Sequence, residues 1–185
     1  MPSGRTHDSI TLWSLPVVAG LTFVQTQNGN LTLIVSGSFL FGGLMFGPDL
    51  DIYSQQYKRW GVLRWIWLPY RKQVRHRSFL SHGAIVGTVL RICYLSVWLG
   101  ILGSVMIVGG AIVHQVLNGT GSWQFLAQQG FEVSAQVLSR SLQQHPISWL
   151  SAAIGLELGA LSHSISDWVG SRVKRLKNSS KKRTS

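Results

Sequence analysis

The sequence predicts an all-α integral membrane bundle of about four transmembrane helices, with an aromatic and basic segment lying at the membrane interface. Three observations carry that expectation. Apolar residues make up 45% of the 185 residues, charged residues only 12%, and mean hydropathy is +0.20; soluble domains carry about a quarter charged residues. The apolar residues gather in four runs approaching the length a bilayer requires, about 20 residues. Lys and Arg are spread very unevenly between the segments that join those runs.

The first run covers residues 10–26 and contains Pro16. It follows "MPSGRTHDSI", which holds an Arg and an Asp, and no small-x-small cleavage site comes after it. It therefore reads as a retained helix and not as a signal peptide. The second run covers 31–47, the third 83–113 and the fourth 147–170. Small residues recur in stretches such as "SGSFLFGG" and "GILGSVMIVGGA", where membrane helices approach one another closely. Cys93 is the single cysteine, so no intrachain disulfide forms, and it reads as a small buried apolar side chain.

Between the second and third runs, "YKRWGVLRWIWLPYRKQVRHR" alternates Trp and Tyr with Arg and Lys. That mixture suits the headgroup layer, so an interfacial segment is expected over 53–75. Residues 118–144 are polar to amphipathic with a single Arg, which suggests a loop with one surface helix. The domain reading is one helical membrane domain over 1–170, followed by a basic tail over 171–185 without regular structure.

Net charge is +11 with a pI near 10.7. The basic residues flank apolar runs, so anionic lipid head groups are the expected partner and nucleic acid is not. Seven Lys and Arg lie in 48–82 and seven in the tail, against only Arg140 in 114–146 and none in 27–30. The positive-inside rule then yields four spans with both termini cytoplasmic, in an inner or other internal prokaryotic membrane.

This topology collects the chemistry-bearing residues. The chain has only six acidic residues, Asp8, Asp49, Asp51, Glu132, Glu157 and Asp167. Four lie at or inside apolar segments, where a carboxylate is costly unless compensated. His7 precedes the first run, Asp49 and Asp51 follow the second, His76 and His82 precede the third, and His163 and Asp167 lie near the end of the fourth. All seven come out on the cytoplasmic side. Singly, each has a structural explanation: an Asp pair as a helix-end turn, His163 and Asp167 as a pair on one helical face, "RHRSFLSH" as a headgroup cluster. Together they suit a mixed imidazole and carboxylate cage for one or two divalent ions, zinc first, manganese or iron next. His114 and His145 fall on the opposite side. Arg91 and Glu157 are left over. They pair across the bundle, or Arg91 reaches toward the site to hold a substrate phosphate. No serine or cysteine nucleophile constellation and no phosphate-cradling glycine loop is present.

The pieces "GRTHD", "GPDLD", "HRSFLSH" and "LSHSISD" resemble the motifs of a prokaryotic integral-membrane metal-binding protein family related to membrane-bound, metal-dependent hydrolase-like proteins. Its motifs are a His near the start, Pro-Asp-x-Asp, His-Arg-Gly-x-Thr-His and Ser-His-x3-Asp. Pro48, Asp49 and Asp51 match, as do Ser162, His163 and Asp167. In the third motif Ser78 stands in place of Gly, and one extra residue separates His76 from His82. The resemblance covers about residues 4–170 and implies metal binding and, more loosely, hydrolysis.

The expected function is thus a metal-dependent hydrolase at the cytoplasmic membrane surface, acting on a lipid or phosphoester. Its ligands would be His7, Asp49, Asp51, His82, His163 and Asp167, with His76 a ligand or general base. The alternatives are a non-enzymatic metal-binding membrane protein with a structural or assembly role, and a metal-free lipid-binding scaffold.

Overall fold

The computed structural model describes the backbone of residues 4–76, 78–119 and 121–183, and side chains within 6–170 except 77 and 120, together with Arg172. Every regular element among the described residues is helical. Arg77 and most basic side chains of the tail lie outside the described residues. The chain divides into two compact units, Met1–Arg91 with Leu150–Ser185, and Ile92–Trp149.

The first unit begins with α1, Gly4–Thr26, and α2, Gly29–Leu44, which pack as a helical hairpin. Asn28 caps α2: its Oδ1 accepts from the N–H groups of Asn30 at 2.9 Å and Leu31 at 3.1 Å. Gly47 and Pro48 prevent α2 from continuing, and Pro48–Asp51 forms a tight 3-10 turn. Short helices follow, α3 at Gln55–Arg59, α4 at Leu68–Gln73 and α5 at Phe79–His82, with a second 3-10 stretch over Gly61–Trp67. α6 is Val86–Asn118, and α8, introduced below, returns to this unit from residue 150 onward.

α8 spans Pro146–Arg183, so residues 171–183, expected to lack regular structure, are helical. Its Gly155-x3-Gly159 lets it meet α2 backbone to backbone. A Cβ at Gly42 would sit 2.5 Å from the Leu156 carbonyl oxygen, and one at Gly155 or Gly159 would run into the carbonyls of Val35 or Phe39. One further turn along the same face of α8 comes His163, and one more Asp167. The close glycine contact therefore aims both side chains at the end of α1 and α2. On α1, Thr11 is buried against Gly43, and His7, four residues before it, shares that face.

The 53–75 segment departs from a simple interfacial belt. Tyr57, Ile66, Trp67 and Tyr70 are buried. Trp67 packs edge-on against Phe46, Trp60 and Tyr70, with ring centroids 5.7, 5.1 and 5.6 Å apart. Tyr53, Val62, Leu63, Trp65 and Leu68 remain exposed. An alternation of aromatic and basic residues cannot distinguish a headgroup face from a small core when the segment folds into turns of unequal pitch, and here it supplies a small core with an exposed rim.

In the second unit, α7 at Trp123–Gln144 is the amphipathic helix expected between the third and fourth runs. The Trp123 N–H donates to Gln115 Oε1 at 2.8 Å, and a Cβ at Gly130 would meet Ile107. Cys93 is exposed and not buried: it lies on a helix whose apolar side chains mostly face outward.

Among the described residues, three segments are long and apolar enough to cross a membrane, Thr6–Thr26, Gly29–Asp51 and Val86–Asn118. Large apolar side chains on them are openly exposed, among them Trp13 at 82% and Met106 at 77%.

Candidate metal centre

Two groups of side chains converge in the first unit. His7, His163 and Asp167 offer ligand atoms within 4.8 Å of one another, and so do Asp49, His76 and His82. The first group stands on the long helices α1 and α8. The second stands on the Pro48–Asp51 turn, the segment after α4, and α5.

The inner group is set by Ser166. Its hydroxyl donates to the His163 carbonyl at 2.8 Å, which uses its one proton. The same oxygen lies 2.6 Å from His7 Nδ1 and so accepts from it. His7 then bears its proton on Nδ1 and turns the bare Nε2 toward Asp167 Oδ1, 3.2 Å away. Two atoms that carry lone pairs face each other in a buried place, an arrangement that calls for a shared cation. The His7 and His163 rings stack with centroids 4.0 Å apart, so both imidazoles address the same space.

The outer group repeats the device. His82 Nδ1 lies 2.8 Å from the hydroxyl of Ser81, and its Nε2 is buried with no hydrogen-bond partner, 3.8 Å from Asp49 Oδ1. Burial holds the His82 imidazole below its ordinary pKa of 6.5 and keeps it neutral, the form that ligates. His76 Nδ1 donates to both oxygens of Asp51, at 2.9 and 3.1 Å, which leaves its Nε2 bare. A carboxylate behind an imidazole is the arrangement that orients metal-bound histidines.

Asp49 joins the two groups. Its Oδ1 faces His82 and its Oδ2 lies 3.1 Å from His163 Nε2. That contact is short, but Nε2 of His163 is buried without a well-aligned hydrogen bond. Gln56 holds the assembly from below: its Nε2 donates to the Gly43 carbonyl at 2.8 Å and lies 3.4 Å from His163 Nδ1, and its Oε1 accepts from the Asp49 N–H at 3.2 Å.

The orphaned nitrogens, the lone-pair confrontation and the mixed N and O donor set fit one or two divalent ions. Of the residues expected as ligands, His7, Asp49, His82, His163 and Asp167 converge, and His76 joins them. Asp51 does not. It is buried behind His76, because in a 3-10 turn side chains two apart diverge. Arg91 is also elsewhere: it is buried and donates to the Ser81 carbonyl and the Thr88 hydroxyl, each at 2.9 Å. It makes no ion pair with Glu157 among the described residues, and Glu157 Oε1 instead accepts from the Ile85 N–H at 2.9 Å. Sequence reasoning missed Gln56, Ser81 and Ser166. Both serines adjoin a ligand in the sequence, which was a usable signal; Gln56 carried none.

A cavity of about 260 Å³ opens over Asp49, His7, His163, Asp167 and His76, with Tyr53 and Lys58 on its wall. Asp8 also borders it, but its carboxylate is held by Arg59 through bonds of 2.9 and 2.5 Å.

Residues 2–177 match the profile of a family described as "Uncharacterized metal-binding protein (DUF2227)". The chain belongs to that family. Metal binding is thus a property of the DUF2227 family, and the histidine and aspartate groups are where this chain can express it. Over 58 residues this DUF2227 chain is 34% identical to an uncharacterized protein of Aquifex aeolicus (strain VF5), a match covering 31% of this chain and 40% of the relative. The chain thus spans about two fifths of that relative's length. No solved structure matches.

Proposed function

We propose that the protein is a membrane-embedded hydrolase using two divalent ions, with zinc the first candidate, acting on a phosphoester or lipid substrate at the cytoplasmic surface. One observation carries this reading: Asp49 of the outer group also reaches His163 of the inner one, and five of the six candidate ligands border a single open cavity of about 260 Å³. A purely structural ion is enclosed by protein ligands, whereas a catalytic site keeps a position open. Divalent ions held there would activate water at neutral pH and offset negative charge on the substrate oxygen.

The remaining work belongs to the chain. Asp49 holds both groups at once through its two oxygens. Ser166 and Ser81 keep the Nε2 atoms of His7 and His82 bare and aimed. His76, backed by Asp51 and 28% exposed, stands where a ligand or a general base can reach substrate. Lys58, with its ammonium 4.8 Å from the Tyr53 ring, offers positive charge at the cavity wall.

The membrane part of the proposal is four spans, with α8 supplying the fourth and both termini cytoplasmic. It is supported by three sufficiently apolar segments, their exposed apolar side chains and the Lys and Arg distribution. Anionic head groups are the proposed partner of the exposed basic and aromatic residues in 53–75. A reporter fused after Ser185 is expected to be cytoplasmic and one near Gly121 external; both on one side would remove the four-span arrangement.

A second reading, a non-enzymatic metal-binding protein, draws on the inner group, whose His7 and His163 are almost fully buried. Metal content per chain, followed by hydrolysis of chromogenic phosphomonoesters and phosphodiesters, separates the two. Two ions with metal-dependent turnover support the hydrolase. Bound metal without turnover on either ester supports the second reading, and failure to take up zinc, manganese or iron removes both.

A further inference from the structure

The turn that carries His82 is strained. Ile85, three residues after it, has φ +65°. A β-branched residue in the left-handed region is a genuine outlier, and such strain persists only where the surroundings impose it. Two polar groups, half-buried Glu157 and buried Arg91, impose it here. Glu157 on α8 accepts the Ile85 N–H through Oε1 at 2.9 Å, and its Oε2 is buried without a hydrogen-bond partner. Arg91 on α6 donates to the Ser81 carbonyl at 2.9 Å. Gly87 lets the chain fold back this tightly, since a Cβ there would lie 2.7 Å from the Ser81 carbonyl oxygen. Ser81 and Ile85 bracket His82, and His82, Arg91 and Glu157 line one small cavity behind the turn.

We infer that Glu157 is a positioning residue for the outer metal: by holding the Ile85 amide it keeps the strained turn in place, so that His82 Nε2 faces Asp49. The inference rests on the two-ion reading of the site. Glu157 lies on α8, the helix that also carries His163 and Asp167, but on another face of it, and its bond goes to the segment of the outer group. A mid-helix carboxylate in an apolar run therefore has a defined task, distinct from ligation and from pairing with Arg91. The inner group does not depend on it, because His7, His163 and Asp167 are held by α1, α8 and Ser166.

The test is zinc titration of metal-free protein, with ions per chain counted after gel filtration, on wild type, Glu157→Gln, Glu157→Leu and Glu157→Leu combined with Ile85→Gly. Glu157→Gln keeps a carbonyl oxygen for the Ile85 amide and is expected to bind both ions. Glu157→Leu is expected to weaken the second ion by about 10–100-fold, the range for loss of an outer support, and leave the tighter ion unchanged. Glycine adopts a positive φ without steric cost, so Ile85→Gly is expected to restore the second ion in the Leu background. A purely structural role for Glu157 would not be rescued at position 85. Two tight ions in Glu157→Leu, or no rescue, overturns the inference. If Glu157→Leu does not fold, Ile85→Gly in the wild-type background decides: a melting midpoint at or above wild type supports the strain, and a lower one overturns it. Fewer than two ions in wild type breaks the two-ion reading itself, so the two failures are distinguishable.

Discussion

The two ligand groups use the same residue types but rest on different foundations. His7, His163 and Asp167 stand on the long helices α1 and α8, and α8 meets α2 backbone to backbone through Gly42, Gly155 and Gly159. Asp49, His76 and His82 stand on a four-residue 3-10 turn, an irregular segment and a four-residue helix. The inner group is positioned by helix packing that exists with or without an ion. The outer group is positioned by individual hydrogen bonds to short elements: Asp51 behind His76, Ser81 behind His82, Glu157 behind the turn. Short elements with few buried contacts open more readily than packed helices. The pair thus combines a seat on packed helices with one on short elements, and both border the cavity where substrate would enter.

The largest effect is expected where the comparison collapses, at the residue both groups share. Asp49→Ala removes an oxygen from each group at once. Loss of outer supports alone costs about 10–100-fold in affinity, so loss of a shared ligand is expected to exceed about 100-fold for both ions. Elemental analysis of purified protein reads this directly, with His114→Ala in the second unit as an unaffected control. One ion retained at full affinity would mean that Asp49 serves a single group.

Next comes the helix contact. Gly159→Val places a branched side chain against the Phe39 carbonyl and forces α8 away from α2. Overpacking of this kind costs about 1–3 kcal/mol, so the melting midpoint is expected to fall by several degrees, with inner affinity falling alongside it. An unchanged inner affinity would show that His163 and Asp167 do not depend on the glycine contact.

The groups should also separate when ligands are removed singly. His82→Ala is expected to lower metal content from two ions to one, and His163→Ala to release more than that, since its Nε2 lies beside Asp49 as well as among the inner ligands. Equal losses would merge the two groups into one site.

A smaller effect follows from protonation. Burial lowers the pKa of His82 from 6.5, so the imidazole is mostly neutral at pH 6.5 and protons compete for Nε2 chiefly below that. In the metal-free protein this group costs no stability above pH 6.5. As pH falls from 6.5 through the lowered native value, the unfolded chain takes the proton first and stability declines. Retention of the outer ion is therefore expected to hold from about pH 8 down to about pH 6.5 and fall below it. Dialysis across that range, followed by metal analysis, checks the sign; release beginning well above pH 6.5 would contradict a buried, neutral His82.

Candidate ligands were legible in the sequence because they are exceptions. His7, Asp49, His82, His163 and Asp167 are polar residues at the margins of apolar runs. Asp51 and Arg91 show the limit of that reasoning. Both are as exceptional as Asp49, yet Asp51 stands behind His76 and Arg91 behind Ser81. Rarity marks a residue as constrained without saying by what. Gln56 bonds to Gly43, Asp49 and His163 across separate elements, and nothing in its neighbours announces this.

From sequence alone, then, follow the helical class, the apolar segments and most of the candidate metal ligands, because composition and local periodicity are properties of the chain itself. Tertiary structure alone decided that Asp49 joins two groups, that Asp51 supports one histidine, that half the aromatic segment is core, and that Glu157 holds the Ile85 amide. Each of these depends on the direction of a side chain relative to a distant element. Directions are set by turn pitch and by how closely backbones approach, at Gly42 and Gly159 above all, and neither is written in the spacing of residues along one helix.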